Sequence, residues 1–317
     1  MKFVIAFCLF VLTVQSADIS PRKIVEASGN VQNIAIYEDM VLAGTNAGTL
    51  DIYKLEDGSL VKKIEFGKIK DFTGDEISPK VFSVDKIAGS EKYLAVTQAS
   101  NGARSLFIVD DGEITEVINQ DQNLFISKAK FIDKDRALLA LLSNELILFD
   151  LKAKKEIYRV QISPSHFTDF MLSKDKKTVA TSSESGEVAI VDVSTGKTMK
   201  TLSGGNVDNI YKVDFKNGRV LCAGQDRRGI VYNVATGDFD RYDGSFLIYA
   251  GAMSPSGKLG VFAFNEKNDM FVFNLDSKSQ MHKLIGQRST LNSIVFANEK
   301  DLVSGSDDKF IMIWRLP

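Results

Sequence analysis

Apolar and polar residues alternate with a period of two through most of the chain, in segments too short for helices and separated by Gly, Ser, Asp and Asn. The stretch from Phe167 to Leu202 shows the order. An apolar segment, Phe167 to Leu172, reaches a polar turn at Ser173 to Lys177, and a second segment, Thr178 to Ser182, meets a turn at Glu184, Ser185 and Gly186. A third segment, Glu187 to Val191, is followed by a turn at Ser194, Thr195 and Gly196, and a fourth spans Thr198 to Leu202. Such alternation between turn residues predicts antiparallel strands. The unit recurs: its third segment ends at Asp110, Asp150, Asp192, Asn233, Asn274 and Arg315, in steps of 40, 42, 41, 41 and 41 residues. An earlier copy, Leu50 to Lys54, ends 56 residues before Asp110, so one insertion interrupts the period. Four strands per repeat predict one blade, and third strands at Leu50, Leu106, Leu146, Val188, Gly229, Met270 and Phe310 predict an all-β, seven-bladed β-propeller.

The last copy stops at Pro317 without its fourth strand, and the segment from Arg22 to Ala27 has the length and alternation to supply it. Pairing the two ends hides both open edges. Ile24 and Val25 are therefore expected to pack on the Leu284 to Phe310 blade.

The final repeat reads Leu302, Val303, Ser304, Gly305, Ser306, Asp307, Asp308, Lys309, then Phe310, Ile311, Met312, Ile313, Trp314, Arg315. This resembles the WD40 family, with its strand, Ser-Gly-Ser-x-Asp turn and Ile-x-Ile-Trp ending, and the resemblance covers Arg22 to Pro317. The family's blade carries a Gly-His pair whose histidine ties neighbouring strands through an Asp and a Trp. Here Gly286 is followed by Gln287, only His166 stands near an equivalent place, and Trp314 is the sole tryptophan. Most blades are thus expected to be held by apolar packing and ladder hydrogen bonds.

The first residues depart from the repeat. Lys2 is followed by an apolar run from Phe3 to Leu12, then Thr13 and Val14, with small residues at Ser16 and Ala17. That is the pattern of a secretory signal over 1–16, cleaved after Ser16, leaving a single propeller domain over 17–317 and no integral membrane segment. Cleavage removes Cys8, so Cys222 remains as the only thiol and no internal disulfide forms. It also removes Lys2, one of 39 basic residues against 41 acidic, for a mature net charge of about -3. Nucleic acid has no general reason to bind such a surface. No Asn-x-Ser/Thr acceptor occurs, which fits a bacterial periplasm. Among exported bacterial propellers of this size, the pattern is similar to the accessory propellers encoded with periplasmic nitrate reductase systems.

Candidate chemistry is sparse. His166 and His282 with Cys222 form no transition-metal constellation; His166 reads as a hydrogen-bonding residue at a strand start, His282 as exposed, and Cys222 as a buried protonated thiol. Asp238, Asp240 and Asp243 lack the ligand spacing of a calcium loop, and Gly204, Gly205 and Asn206 lack the lysine and helix of a phosphate loop. Trp314 alone cannot supply the repeated tryptophans of quinone-dependent propellers. No cofactor is expected.

Surfaces are more informative. The insertion 67–80 presents Ile69, Phe72 and Ile77 among three lysines and the acids Asp71, Asp75 and Glu76, a candidate partner anchor. The same rim is expected to carry Asp226, Arg227 and Arg228, Asn265 to Asn268 including Lys267, and Asp307 to Lys309, whose arginines could clamp a carboxylate. The opposite rim collects Lys134, Arg136, Lys152, Lys154, Lys155, Lys174, Lys176 and Lys177. These features point to a monomeric, non-catalytic scaffold for periplasmic protein partners. The rival reading is an enzyme or small-ligand sensor with a site in the central channel.

Overall fold

Each run of period-two alternation forms a strand in the computed structural model, which describes residues 18–317, so the expected export signal lies outside the described residues. Strand β1 (Lys23–Glu26) precedes the first blade, β2 (Val31–Tyr37), β3 (Met40–Thr45), β4 (Thr49–Lys54) and β5 (Leu60–Glu65). The insertion holds β6 (Ile69–Lys70) and β7 (Glu76–Ile77). Blade two is β8 (Val81–Lys86), β9 (Tyr93–Gln98), β10 (Arg104–Asp110) and β11 (Glu113–Ile118); blade three is β12 (Ile126–Phe131), β13 (Arg136–Leu141), β14 (Glu145–Asp150) and β15 (Lys155–Gln161). Blade four is β16 (Phe167–Leu172), β17 (Thr178–Ser183), β18 (Val188–Asp192) and β19 (Thr198–Leu202). Blade five is β20 (Ile210–Lys216), β21 (Arg219–Gly224), β22 (Arg228–Asn233) and β23 (Phe239–Asp243). Blade six is β24 (Gly251–Met253), β25 (Leu259–Ala263), β26 (Met270–Asn274) and β27 (Gln280–Leu284), and blade seven contributes β28 (Leu291–Phe296), β29 (Asp301–Ser306) and β30 (Phe310–Arg315). Two short 3-10 turns, η1 (Ser100–Gly102) and η2 (Gln120–Gln122), are the only helical elements among the described residues.

The sheets form seven four-stranded antiparallel blades in a propeller ring. The middle strands of a blade are covered on both faces by its neighbours, so β13 (RALLAL) is buried from Ala137 to Leu141, whereas the outermost β15 (KEIYRVQ) is largely exposed. The core lies between blades: Leu94, Val96 and Leu106 of blade two pack with Ile126, Phe131, Leu139 and Phe149 of blade three. At roughly 25 cal/mol per Å² of apolar area, these inter-blade seams supply the main drive to close the ring.

The seventh blade is completed from the other end of the chain, in the order β1-β30-β29-β28. Val25 lies opposite Ile311 and is buried with Val303 and Ile313. Both residues expected on this blade pair with β30, Ile24 opposite Met312, but Ile24 remains 39% exposed while Val25 is buried. Successive side chains on a strand point to opposite faces, and one face of this edge strand is open. Upstream, Ile19 bridges to Leu284, accepting from Ile285 N and donating to Lys283 O, so the N-terminal segment stitches the sixth blade as well as the seventh. On the seam with blade one, Gly305 faces Ile34, whose Cδ1 would sit 2.7 Å from an added Cβ, so a side chain there would require Ile34 and Val31 to shift.

Blade seven also has a side-chain relay that its departure from the Gly-His pattern made unexpected. Gln287 is 7% exposed; its Nε2 donates to Ser306 Oγ at 2.7 Å and its Oε1 accepts from Ser304 Oγ at 2.8 Å. Ser304 Oγ in turn accepts from Trp314 Nε1 at 2.9 Å, and Ser306 Oγ donates to Asp308 at 2.9 Å. A glutamine amide offers both a donor and an acceptor, so one side chain serves both serines.

Candidate functional site

Two regions stand out, one on a rim and one in the channel. On the rim, the insertion is a two-stranded ribbon rather than an extended loop: Ile69 pairs with Ile77 and Lys70 with Glu76. The turn between them is built by Asp71, whose Oδ1 accepts from Thr73 N at 2.9 Å, Thr73 Oγ1 at 2.7 Å and Asp75 N at 3.0 Å. The Thr73 hydroxyl, with the turn's backbone amides, holds the Asp71 carboxyl below its usual range. Gly74 takes a φ of 92°, which few other residues adopt. This ordered turn carries Phe72 outward at 89% exposure. Ile69 and Ile77 are half-buried across the ribbon, whereas Phe72 is exposed. Asp75 and Glu76 are exposed beside it. Along the base of the ribbon runs an open groove of about 380 Å³, between Gly67 and Ile69 on one side and Gln98, Glu116 and Asn119 on the other.

The other rim charges divide. Asp226 accepts from Asn206 Nδ2 and Val207 N, both at 2.9 Å, and Arg228 donates to Gly205 O at 3.1 Å. Both therefore brace the loop between blades four and five, and Arg228 does not present the free fork expected of a carboxylate clamp. Lys309 pairs with Glu26 of the closing strand at 2.5 Å. Arg227, Lys267 and Asp307 are exposed, the last accepting from Asn292 Nδ2 at 3.1 Å.

Turns of blades three and four share the opposite rim, yet its basic residues are interleaved with acids. Arg136 pairs with Asp133 at 2.7 Å, Lys176 donates to Phe131 O and Lys154 to Glu116 O, and Asp175 and Asp192 line the same hollow as Lys177. His166 is exposed, with Nδ1 3.5 Å from Glu184, and ties no neighbouring strand through its side chain. His282 is half-buried rather than exposed, and burial lowers its pKa. Cys222 is buried in blade five, where burial, with Asp226 adding, pushes its thiol up. Asp240 and Asp243 lie on the outermost β23, paired with Lys278 and Arg241. Among the described residues, no group of three or more His, Cys, Asp or Glu side chains is placed to hold a metal ion.

The channel holds charges that hydrophobic alternation alone does not reveal. The innermost strands are tied round the ring by side chains reaching the next blade's backbone: Asp85 accepts from Phe131 N at 2.7 Å, Asp169 from Val213 N at 3.1 Å and Asp214 from Met253 N at 2.8 Å. Lys130 pairs with Asp85 at 2.8 Å, and Tyr37 also donates to Asp85. Lys128 pairs with Asp169 at 2.6 Å and lies over the Phe170 ring. Burial lowers Lys128 to about 8, with Lys130 and Lys212 adding like charge, although Asp169 opposes the shift. Burial raises the Asp169 carboxyl, but Lys128 and Lys212 outweigh it and hold the group below the usual range. The available signal was a lysine or aspartate at every second position of strands whose middle neighbours are largely apolar, as in Lys128-x-Lys130 and Lys212-x-Asp214-x-Lys216.

No protein-family model matches the chain, and no curated protein matches it. Among the described residues, no helix is long and apolar enough to cross a membrane.

Proposed function

We propose that the chain is a WD40-type propeller that acts as a non-catalytic protein-interaction scaffold or accessory factor in the periplasm. The observation that carries this reading is the Asp71-capped ribbon, which holds Phe72 outward at 89% exposure beside a groove. An exposed aromatic on a preorganised turn can enter a partner's pocket at little cost in ordering, and aromatic anchors dominate interface energetics. The acids Asp75 and Glu76 beside it supply a polar rim. The relay through Gln287 and Trp314 supports the WD40 relationship, since it rebuilds that family's inter-strand tie with an amide. The narrower reading, an accessory of a periplasmic nitrate reductase system, rests on the resemblance in repeat pattern and the expected export signal.

Affinity capture from periplasmic extract tests the reading, comparing the intact protein with one whose 67–80 ribbon is replaced by a short turn. A specific partner recovered by the first and lost by the second is the expected result. Phe72→Ser alone should weaken that partner by roughly 2 kcal/mol, about thirtyfold in affinity. Equal recovery by all three proteins contradicts the assignment. A captured nitrate reductase subunit would fit the narrower reading; a different reproducible partner would replace it and keep the scaffold.

A further inference from the structure

The central channel holds a partly open cavity of about 80 Å³ whose charged lining is Lys128, Asp169, Lys212, Asp214 and Lys216. Three lysines thus face two aspartates. Two of the lysines are matched: Lys128 with Asp169 at 2.6 Å and Lys216 with Asp214 at 3.1 Å. Lys212 makes no ion pair or side-chain hydrogen bond with any described residue, and it stands beside the Lys128–Asp169 pair, acting on both. The cavity therefore carries one surplus positive charge, walled in part by Met171, Met253 and Phe296. In a partly desolvated site an unmatched ammonium is costly, and a counter-ion relieves the cost. A second observation comes from the adjoining strand. Asn292, which also lines the cavity, spends its Nδ2 on Val31 O and Asp307, while its buried Oδ1 has no partner, leaving an acceptor for a water whose other hydrogen can be donated to an anion.

We infer that the channel is a binding site for one small carboxylate-sized monoanion, held by Lys212 and Lys128 between blades three, four and five. The space admits a few non-hydrogen atoms and excludes a peptide. One negative charge neutralises the site, whereas a dianion would leave it overcharged beside Asp169 and Asp214. The pH dependence follows from the groups that face Lys128: Asp169 and the Phe170 ring from β16, Lys130 on its own strand, Lys212 from β20, and Asp85 from β8 one layer away. The anion favours the protonated ammonium, so its affinity should decline as pH rises through about 8, where Lys128 loses its proton.

Acetate is a suitable probe. The purified protein is titrated with acetate at constant ionic strength while its lysine side-chain NMR signals and thermal unfolding are followed. The expected result is saturable movement of two lysine resonances and a rise in Tm, both weakened about tenfold or more in Lys212→Met and retained in Lys212→Arg. Lys63→Met, at an exposed lysine on the outermost strand β5, serves as the control and should behave as the intact protein does. Linear, unsaturable shifts in the intact protein would overturn the inference, as would equal acetate response in Lys212→Met. Should Lys212→Met unfold, the Lys212→Arg titration and the loss of affinity above about pH 8 decide the matter on the folded protein.

Discussion

At the scale of single residues, polar side chains decide where this propeller is pinned. Gln287 is bound at both ends of its amide and is almost shut off from water. Removing it leaves the Ser304 hydroxyl without its acceptor and Ser306 Oγ without its amide donor. Gln287→Ala is expected to cost about 2 kcal/mol, and Gln287→His far less, because imidazole also offers one donor and one acceptor. Urea unfolding of the two variants checks this; equal losses would mean that packing volume rather than hydrogen bonding matters at the site. Lys128 gives a second handle. Its folded pKa of about 8 lies below the ordinary 10.5, so between those values the unfolded chain holds more protons than the folded one. Stability must then rise with pH across that window by this group's contribution. Compared with Lys128→Met, whose other groups titrate alike, the intact protein should gain unfolding free energy from pH 8 to 10; parallel profiles would refute the shift. The same residues show why composition undersold the chemistry. Asp85, Lys130 and Asp214 are ordinary in type, and only their placement on the innermost strands makes them partners.

At the scale of elements, the pattern of alternation carried most of the fold. Strand positions such as Phe167–Leu172 and Thr198–Leu202 form as the turns around them demand, and the insertion stands where the period breaks. Side-chain facing at an edge was harder to read. Ile24 and Val25 are both apolar, yet only Val25 has a neighbouring surface to cover. Val25→Ser should therefore cost about 2 kcal/mol through lost apolar contact, and Ile24→Ser under about 0.5 kcal/mol. Deleting residues 17–28 removes all of β1 and the Ile19 bridge, and should lower Tm severely; a truncated protein melting with the intact one would contradict the closure. The ribbon was legible as an insertion but not as structure, since its order comes from one aspartate accepting three hydrogen bonds in a turn. Likewise, charges at Asp226 and Arg228 looked free in one dimension and prove to be occupied by a loop that passes beside them.

At the scale of the molecule, a ring closed by its own two ends fixes where each loop projects. Apolar seams between blades leave the backbone little freedom, so the rims can vary while the ring stays rigid. One rim carries an ordered aromatic ribbon, and the other carries charges largely balanced among themselves. The proposed scaffold role therefore expects docking through the ribbon-bearing rim. Site-specific photo-crosslinking in cells tests this most directly, with the reactive residue placed at position 72 in one variant and at the exposed position 174 in another. Docking through the ribbon predicts one discrete adduct from position 72 and none from position 174. Adducts from position 174 alone, or no adduct from either, would contradict it.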